Sequence, residues 1–350
     1  MNETNVIGER VVRTHHHHHH SSSSSSSNDE VVGLGDDIGS SSGSSQVTEL
    51  VKEIESSSSD EVVELSKKIE SMKVIKIRDE DMAVRSTENR EKSNVIEFKT
   101  EEEIERNARL YLHPDVAMQR RRLVEISKPG SEDRCLDVGC GQGFLLADLA
   151  RFVGRKGELH GVDVSVGMLR AAHKRCQRSI LQQASAMSLP YRDNMFDLIV
   201  ICQVLVYVSD PRQALLEAKR CLRPGGRLVV LDSIWSQAVW NVKDWQRQTR
   251  ILRAFDRHAL HPLLPMRLPG LISSTGLLYE RTCAIPITGT SKTSSWGDLV
   301  APVIASYVVE HGLVKKKDVE SWLNDIETQA RANRFFFNIN RYVYIATKRD

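Results

Sequence analysis

The sequence predicts an α/β fold, a mostly parallel sheet with helices on both faces, from three observations. The stretch LDVGCGQGF, Leu136 to Phe144, reads as a buried strand running into a glycine turn and then a helix. The stretch HGVDVS, His160 to Ser165, reads as a second strand that ends on a carboxylate. Strand-like and helix-like segments then alternate as far as Asp232, which is the pattern of parallel strands joined by right-handed crossovers.

The chain of 350 residues is long enough for one sizeable domain with appendages, or for two small ones. Its first 99 residues are a different material from the rest. His15 to His20, Ser21 to Ser27 and the later Gly/Ser and Ser runs bury too little apolar surface to offset their ordering entropy, so disorder is expected there. The histidine run fits an expression tag or a simple repeat better than a metal site. Residues 47–55 and 61–72 carry apolar side chains at helical spacing, but a solvated linker is the favoured reading.

The folded part is expected over residues 100–350. Thr100 followed by three glutamates is a helix start, and a second helix runs from Pro114 to about Ser127. Strands are predicted at 134–138, 158–163, 180–184, 196–202 and 227–232. Between them helices are predicted at 144–153, from Val164-Ser165 to about Cys176, and from Pro211 to about Leu222, the last ended by Pro224-Gly225-Gly226. The core is thus 134–232. A helical insertion over 233–275 follows, rich in Trp235, Trp240 and Trp245, which either pack its core or wall a substrate pocket. Further strands are read at 277–285 and 341–347, with helices at 295–311 and 317–333 in a second, cap-like insertion over 286–338.

Charge and cysteine content narrow the class. A net charge of +2 does not announce a nucleic-acid partner, although the first hundred residues are acid-rich and the remainder mildly basic. No apolar run is long enough to span a bilayer and no apolar signal core is seen, so a cytoplasmic protein is expected. The six cysteines are scattered without a C-x-x-C pair and read as reduced thiols.

The glycine turn points to a nucleoside. Gly139, Gly141 and Gly143 alternate around Cys140, so the backbone can fold tightly and a ligand can approach without meeting a Cβ. Asp163, at the end of the second strand, is placed to accept hydrogen bonds from two ribose hydroxyls. The spacing differs from the G-x-G-x-x-G of dinucleotide sites, and Asp137 precedes it. A carboxylate there repels a pyrophosphate but suits an ammonium beside a carboxylate, which is the methionine part of S-adenosylmethionine.

With these residues in view, the chain resembles the class I S-adenosylmethionine-dependent methyltransferases, in particular the small-molecule, ubiquinone/menaquinone-biosynthesis-like (methyltransferase type 11) branch. Four motifs fall in that family's order between Arg134 and Asp232: LDVGCGQGF, VDVS, LPYRDNMFDLIVICQVLVYVSDP and CLRPGGRLVVLD. The resemblance implies a Rossmann-like seven-stranded sheet with an antiparallel last strand, and S-adenosylmethionine as cofactor. It implies cofactor contacts at Asp137, Gly139, Cys140, Gly141, Gly143, Asp163, Val164, Ser185, Ala186, Met187 and Gln203. An acid commonly stands where this chain has Ser185, so adenine recognition is expected to lean on the Ala186 backbone and on Met187. Tyr111 and His113, between the first two helices, are lid residues by the same resemblance or ordinary packing and bend residues.

The resemblance also implies direct displacement of the methyl group, with little covalent help from protein. Tyr207, His258 and His261 are the candidates for a general base. The two histidines have competing readings as metal ligands or structural caps, and no metal is expected. Gln203-Val204-Leu205-Val206 replaces the Asn/Asp-Pro-Pro-Tyr/Phe of base N-methylating enzymes, which argues for a small, fairly apolar acceptor and against DNA. Asn340, Arg341 or Tyr342 is expected to reach that acceptor. Protein or RNA methylation, a non-catalytic cofactor-binding scaffold and a nicotinamide-dependent oxidoreductase are the competing readings.

Overall fold

A computed structural model describes residues 100–349. The expectations for residues 1–99, including the histidine run and the two weak helices, lie outside the described residues.

Helix α1 (Glu101–Leu112) opens on a capping box, in which Thr100 Oγ1 accepts from Glu103 N and the Glu103 carboxylate accepts from Thr100 N. Helix α2 (Pro114–Ser127) starts on a proline whose missing N–H no helix would have used. His113 caps it by accepting from Asp115 N, so the histidine acts as a bend residue.

The core then alternates as expected: β1 (Arg134–Val138), α3 (Phe144–Leu149), β2 (Glu158–Asp163), α4 (Val166–Arg175), β3 (Ile180–Gln183), β4 (Phe196–Cys202), α5 (Pro211–Cys221) and β5 (Leu222–Ser233). Helix α3 is shorter than predicted. After Leu149 the chain continues in turns, and Gly154 N then donates to Ser131 O. Strand β5 begins earlier than predicted, directly after α5. Its partner jumps from Phe196↔Leu222 to Leu198↔Arg227, so Pro224-Gly225-Gly226 sits in a bulge within the strand.

The insertions contribute β6 (Val239–Trp240), α6 (Trp245–Phe255), α7 (Leu268–Ser274), β7 (Leu278–Gly289), α8 (Trp296–Glu310), α9 (Lys316–Arg331) and β8 (Phe337–Thr347). The sheet order is β3-β2-β1-β4-β5-β8-β6, with β7 on the other edge of β8. Strands β1 to β5 are parallel and β8 runs antiparallel to each of its neighbours, as the resemblance implies. The eighth strand is the two-residue β6, which prolongs the line of β5 against Phe337 and Asn338. Such a short pairing has no readable alternation, which is why sequence reasoning counted seven.

Alternate residues of the central strands feed opposite faces. Ile199 and Ile201 of β4 pack with α5 and α7, whereas Leu198 and Val200 pack with α2, α3 and α4. A separate apolar cluster fills the insertions around Trp240, Trp296, Trp322 and Phe337. The three insertion tryptophans therefore divide. Trp240 is core, its indole N–H donating to Gly297 O, and Trp245 is 51% exposed. Trp235 is half-buried, its ring centroid 6.2 Å from that of His258.

The register determines what meets at one edge. Val138 pairs with Val162 and Ile201, Asp163 with Gln183, Cys202 with Leu231, and Ser233 with Arg341. The carboxyl ends of the parallel strands and the first half of β8 thus share one edge, and the order reverses between β1 and β4, where ligands of such sheets bind. Among the described residues no helix is long and apolar enough to cross a membrane.

Candidate active site

The glycine turn is tight because three residues sit at positive φ: Gly139 at 70°, Gly141 at 50° and Gly143 at 75°. Gly139 N and Cys140 N both donate to Val162 O, which pins the turn to β2. A Cβ on Gly139 would stand 2.3 Å from Val204 Cγ2, and one on Gly143 would stand 2.9 Å from the Cα and Cβ of Ala172 in α4. At Gly141 a Cβ would meet nothing within 4 Å, so this glycine alone of the three faces open space. Such a position lets a ligand lie directly on the backbone.

Asp163 is oriented towards that opening. Its Oδ2 accepts from Gly141 N and its Oδ1 from Ser165 N, each at 2.9 Å. An ionised carboxylate has acceptor capacity beyond these two bonds, enough to meet a diol. Burial raises its pKa, while the N–H groups of Ser165, Gly141 and Val164 oppose the shift. Asp137, in β1 behind the turn, is buried, and burial together with the nearby Asp163 pushes its carboxyl up to about 8. Val164, the next residue after Asp163, is 68% exposed, an apolar face with no protein to cover it. Across from it lies the Ser185–Met187 loop. There the Ser185 hydroxyl accepts from Met187 N in a local turn, with Ala186 buried and Met187 half-buried.

Helices α1 and α2 are fastened over the glycine turn. The Gln142 side chain donates to Ile104 O and to Asn107 Oδ1, and Arg120 pairs with Asp148 at 2.9 Å while donating to Tyr111 O. Tyr111 stacks on Phe144 with ring centroids 5.7 Å apart, and Arg175 covers the other part of that ring at 3.6 Å. Gln142 and Arg175 were not singled out from sequence. Their role depends on α1 lying across the turn, which no local pattern records.

On the far side of the strand ends, Gln203 adopts a φ of 60° and its amide donates to Ser233 Oγ. Tyr207 Oη and His258 Nε2 are 3.1 Å apart, and His258 Nδ1 lies 2.5 Å from Phe255 O. A carbonyl can only accept, so Nδ1 carries the ring proton and Nε2 accepts from the tyrosine hydroxyl. Burial pulls the His258 pKa down to about 4 and pushes that of Tyr207 up, so both are neutral at physiological pH. His261 is set apart: its backbone N–H donates to Val206 O, and its ring Nε2 lies 3.4 Å from Ser209 O near the surface. Among the described residues no three His, Cys, Asp or Glu side chains converge to hold a metal ion.

The buried neutral histidine has a consequence for stability. Its folded pKa lies below the unfolded value of about 6.5, so the unfolded state binds the extra proton first and stability falls as pH drops from about 6.5 to about 4. Relative to His258→Gln, the wild type is expected to lose about 3 kcal/mol across that window. Urea unfolding at several pH values measures the difference, and parallel pH profiles for the two proteins would contradict it.

In sequence the chain is similar to known methyltransferases. Residues 136–230 match the family model described as a methyltransferase domain. An uncharacterised 37.1 kDa protein in transposon TN4556 of Streptomyces fradiae is 29% identical over 230 residues, which cover 63% of each chain. A 2-phytyl-1,4-naphtoquinone methyltransferase of Trichormus variabilis is 38% identical over 112 residues, 30% of this chain and 48% of that protein. The chain thus spans about half to two thirds of the length of these relatives. The YcgJ protein of Bacillus subtilis, a solved structure, is 21% identical, with a TM-score of 0.45 over 67% of this chain and 99% of that one.

Proposed function

We propose, from the premise that residues 136–230 form a class I methyltransferase domain, that the protein transfers a methyl group from S-adenosylmethionine to a small organic acceptor. The observation that carries the reading is Asp163, held by the N–H groups of Gly141 and Ser165 beside the one glycine of the turn that meets no protein atom. S-adenosylmethionine, when bound, supplies a methyl on a sulfonium, and its transfer forms a bond to the acceptor's lone pair while the S–C pair stays on sulfur.

The chain's own residues bind and orient. Asp163 would take the ribose diol, and Val164, Ala186 and Met187 would frame the adenine, with Ser185 as a further hydroxyl beside it. Gly139 to Gly143, with the Cys140 backbone, would receive the amino-acid end, with Asp137 behind it. Gln203 would border the reacting centre. Tyr207 is the group that would meet an acceptor hydroxyl, because it can accept that proton while passing its own to the Nε2 of neutral His258. His261, with its ring Nε2 beside Ser209 O near the surface, is the other candidate for a base. Trp235, Tyr207 and Val204 would wall the acceptor and suit an organic body with an apolar part; the Trichormus relative is named for a quinone that has one.

The test is turnover. Full-length protein is incubated with methyl-labelled S-adenosylmethionine and a panel of reduced naphthoquinones and phenols, alongside RNA and a protein lysate. Acceptor-dependent S-adenosylhomocysteine from the small molecules, abolished by Asp163→Ala, is expected. Label entering only RNA or protein would move the acceptor to a macromolecule. Cofactor binding without turnover on any acceptor would make the protein a scaffold.

A further inference from the structure

Arg341 is a buried cation that makes no ion pair among the described residues. Its residue is 4% exposed, and no carboxylate lies within ion-pair distance of it among the described residues. Its one side-chain hydrogen bond runs from Nη1 to Ser233 Oγ at 2.6 Å, and its Nε has no partner at all. Two indole faces hold the guanidinium, with its central carbon 5.2 Å from the Trp235 ring and 5.0 Å from the Trp296 ring. The titratable groups around it are Tyr111, Cys202, Tyr207 and Asp232, and burial holds the pKa of each above its ordinary value. Asp232 does not neutralise it by contact: no ion pair joins the two, and burial pushes its carboxyl up to about 8 against the opposing pull of the Leu205 and Val206 N–H groups and of Arg341 itself.

An unpaired buried charge is strongly unfavourable, so a ligand that brings an anion to it relieves that cost. The place of this one is informative. The register sets Arg341 opposite Ser233, and Ser233 is the residue to which Gln203 donates. Arg341 therefore stands at the strand edge between the lid residue Tyr111 and the Tyr207–His258 pair, on the acceptor side of the glycine turn. A guanidinium fixed by stacking offers its remaining N–H groups in one plane, which matches a carboxylate.

We infer that Arg341, positioned by Trp235 and Trp296, binds a carboxylate on the methyl acceptor, so that the substrate is a small aromatic acid. The inference rests on the methyltransferase reading and names the substrate class for that same site. Bound there, the acid would hold its other end beside Tyr207, where a hydroxyl or carbon nucleophile meets the methyl donor. Tyr111, stacked on Phe144, would close over the apolar body.

The experiment uses the full chain saturated with S-adenosylhomocysteine and paired probes of one shape: benzoate against benzamide and 2-naphthoate against 2-naphthamide. Saturation with S-adenosylhomocysteine, measured beforehand, tests the cofactor reading separately. The acid of at least one pair is expected to bind tenfold or more tightly than its amide. Arg341→Met is expected to remove that preference while leaving S-adenosylhomocysteine affinity within about threefold of wild type, and Arg341→Lys to keep part of it. If Arg341→Met does not fold, the Lys variant and the wild-type acid-to-amide ratio still decide. Equal binding of acid and amide by the wild type, no binding of either acid, or a preference that survives loss of the guanidinium would overturn the inference.

Discussion

Replacing Asp163 with alanine is expected to weaken S-adenosylmethionine binding by about a hundredfold. The carboxylate is oriented by two backbone N–H groups, those of Gly141 and Ser165. It would accept two hydrogen bonds from the ribose, and hydrogen bonds to a charged group contribute about 1.5–3 kcal/mol each, so a loss near 3 kcal/mol is a conservative sum. Asp163→Asn keeps the shape and loses the charge, and it should fall between wild type and alanine. Calorimetric titration gives the affinities, and thermal melting checks that both variants fold. An alanine variant that is folded and binds normally would remove Asp163 from the site.

A pair of glycine substitutions separates folding from binding. Gly143→Ala puts a methyl 2.9 Å from the backbone and Cβ of Ala172 at a φ of 75°, where neither partner is a flexible side chain that can swing away. Strain and overpacking together are expected to destabilise the fold by about 3 kcal/mol or more. Gly141→Ala meets no atom within 4 Å, so only the strain of its positive φ, about 1–2 kcal/mol, is expected. Its methyl would occupy the face on which the ligand lies, and cofactor affinity should fall tenfold or more while the protein stays folded. Urea unfolding and titration of the two variants distinguish the roles. Normal binding by Gly141→Ala would mean that the ligand does not lie on this turn.

The parallel core was legible because each of its elements carries a local signature. A continuous apolar run marks β4, a glycine turn ends β1, a carboxylate ends β2, and Pro211 opens α5. The strand ends converge by topology, so Asp163 and the glycines could be assigned to one site before any coordinates. The insertions were less legible. Trp235, Trp240 and Trp245 look alike in sequence, yet one stands beside the site, one is core and one faces solvent, because only tertiary packing decides which face of each short element is covered. The pairing of Tyr207 with His258 joins residues 51 positions apart across a 3₁₀ turn, so proximity along the chain favoured neither histidine. That Arg341 forms no ion pair among the described residues is likewise a fact of three dimensions, invisible in a sequence whose overall charges nearly balance.

The most direct test of the central assignment is calorimetric titration of the full-length protein with S-adenosylmethionine, S-adenosylhomocysteine and NAD. The geometry of Gly141 and Asp163 predicts that both sulfur ligands bind with one site per chain and that NAD gives no heat of binding. Binding of NAD by folded protein that ignores both sulfur ligands would contradict it.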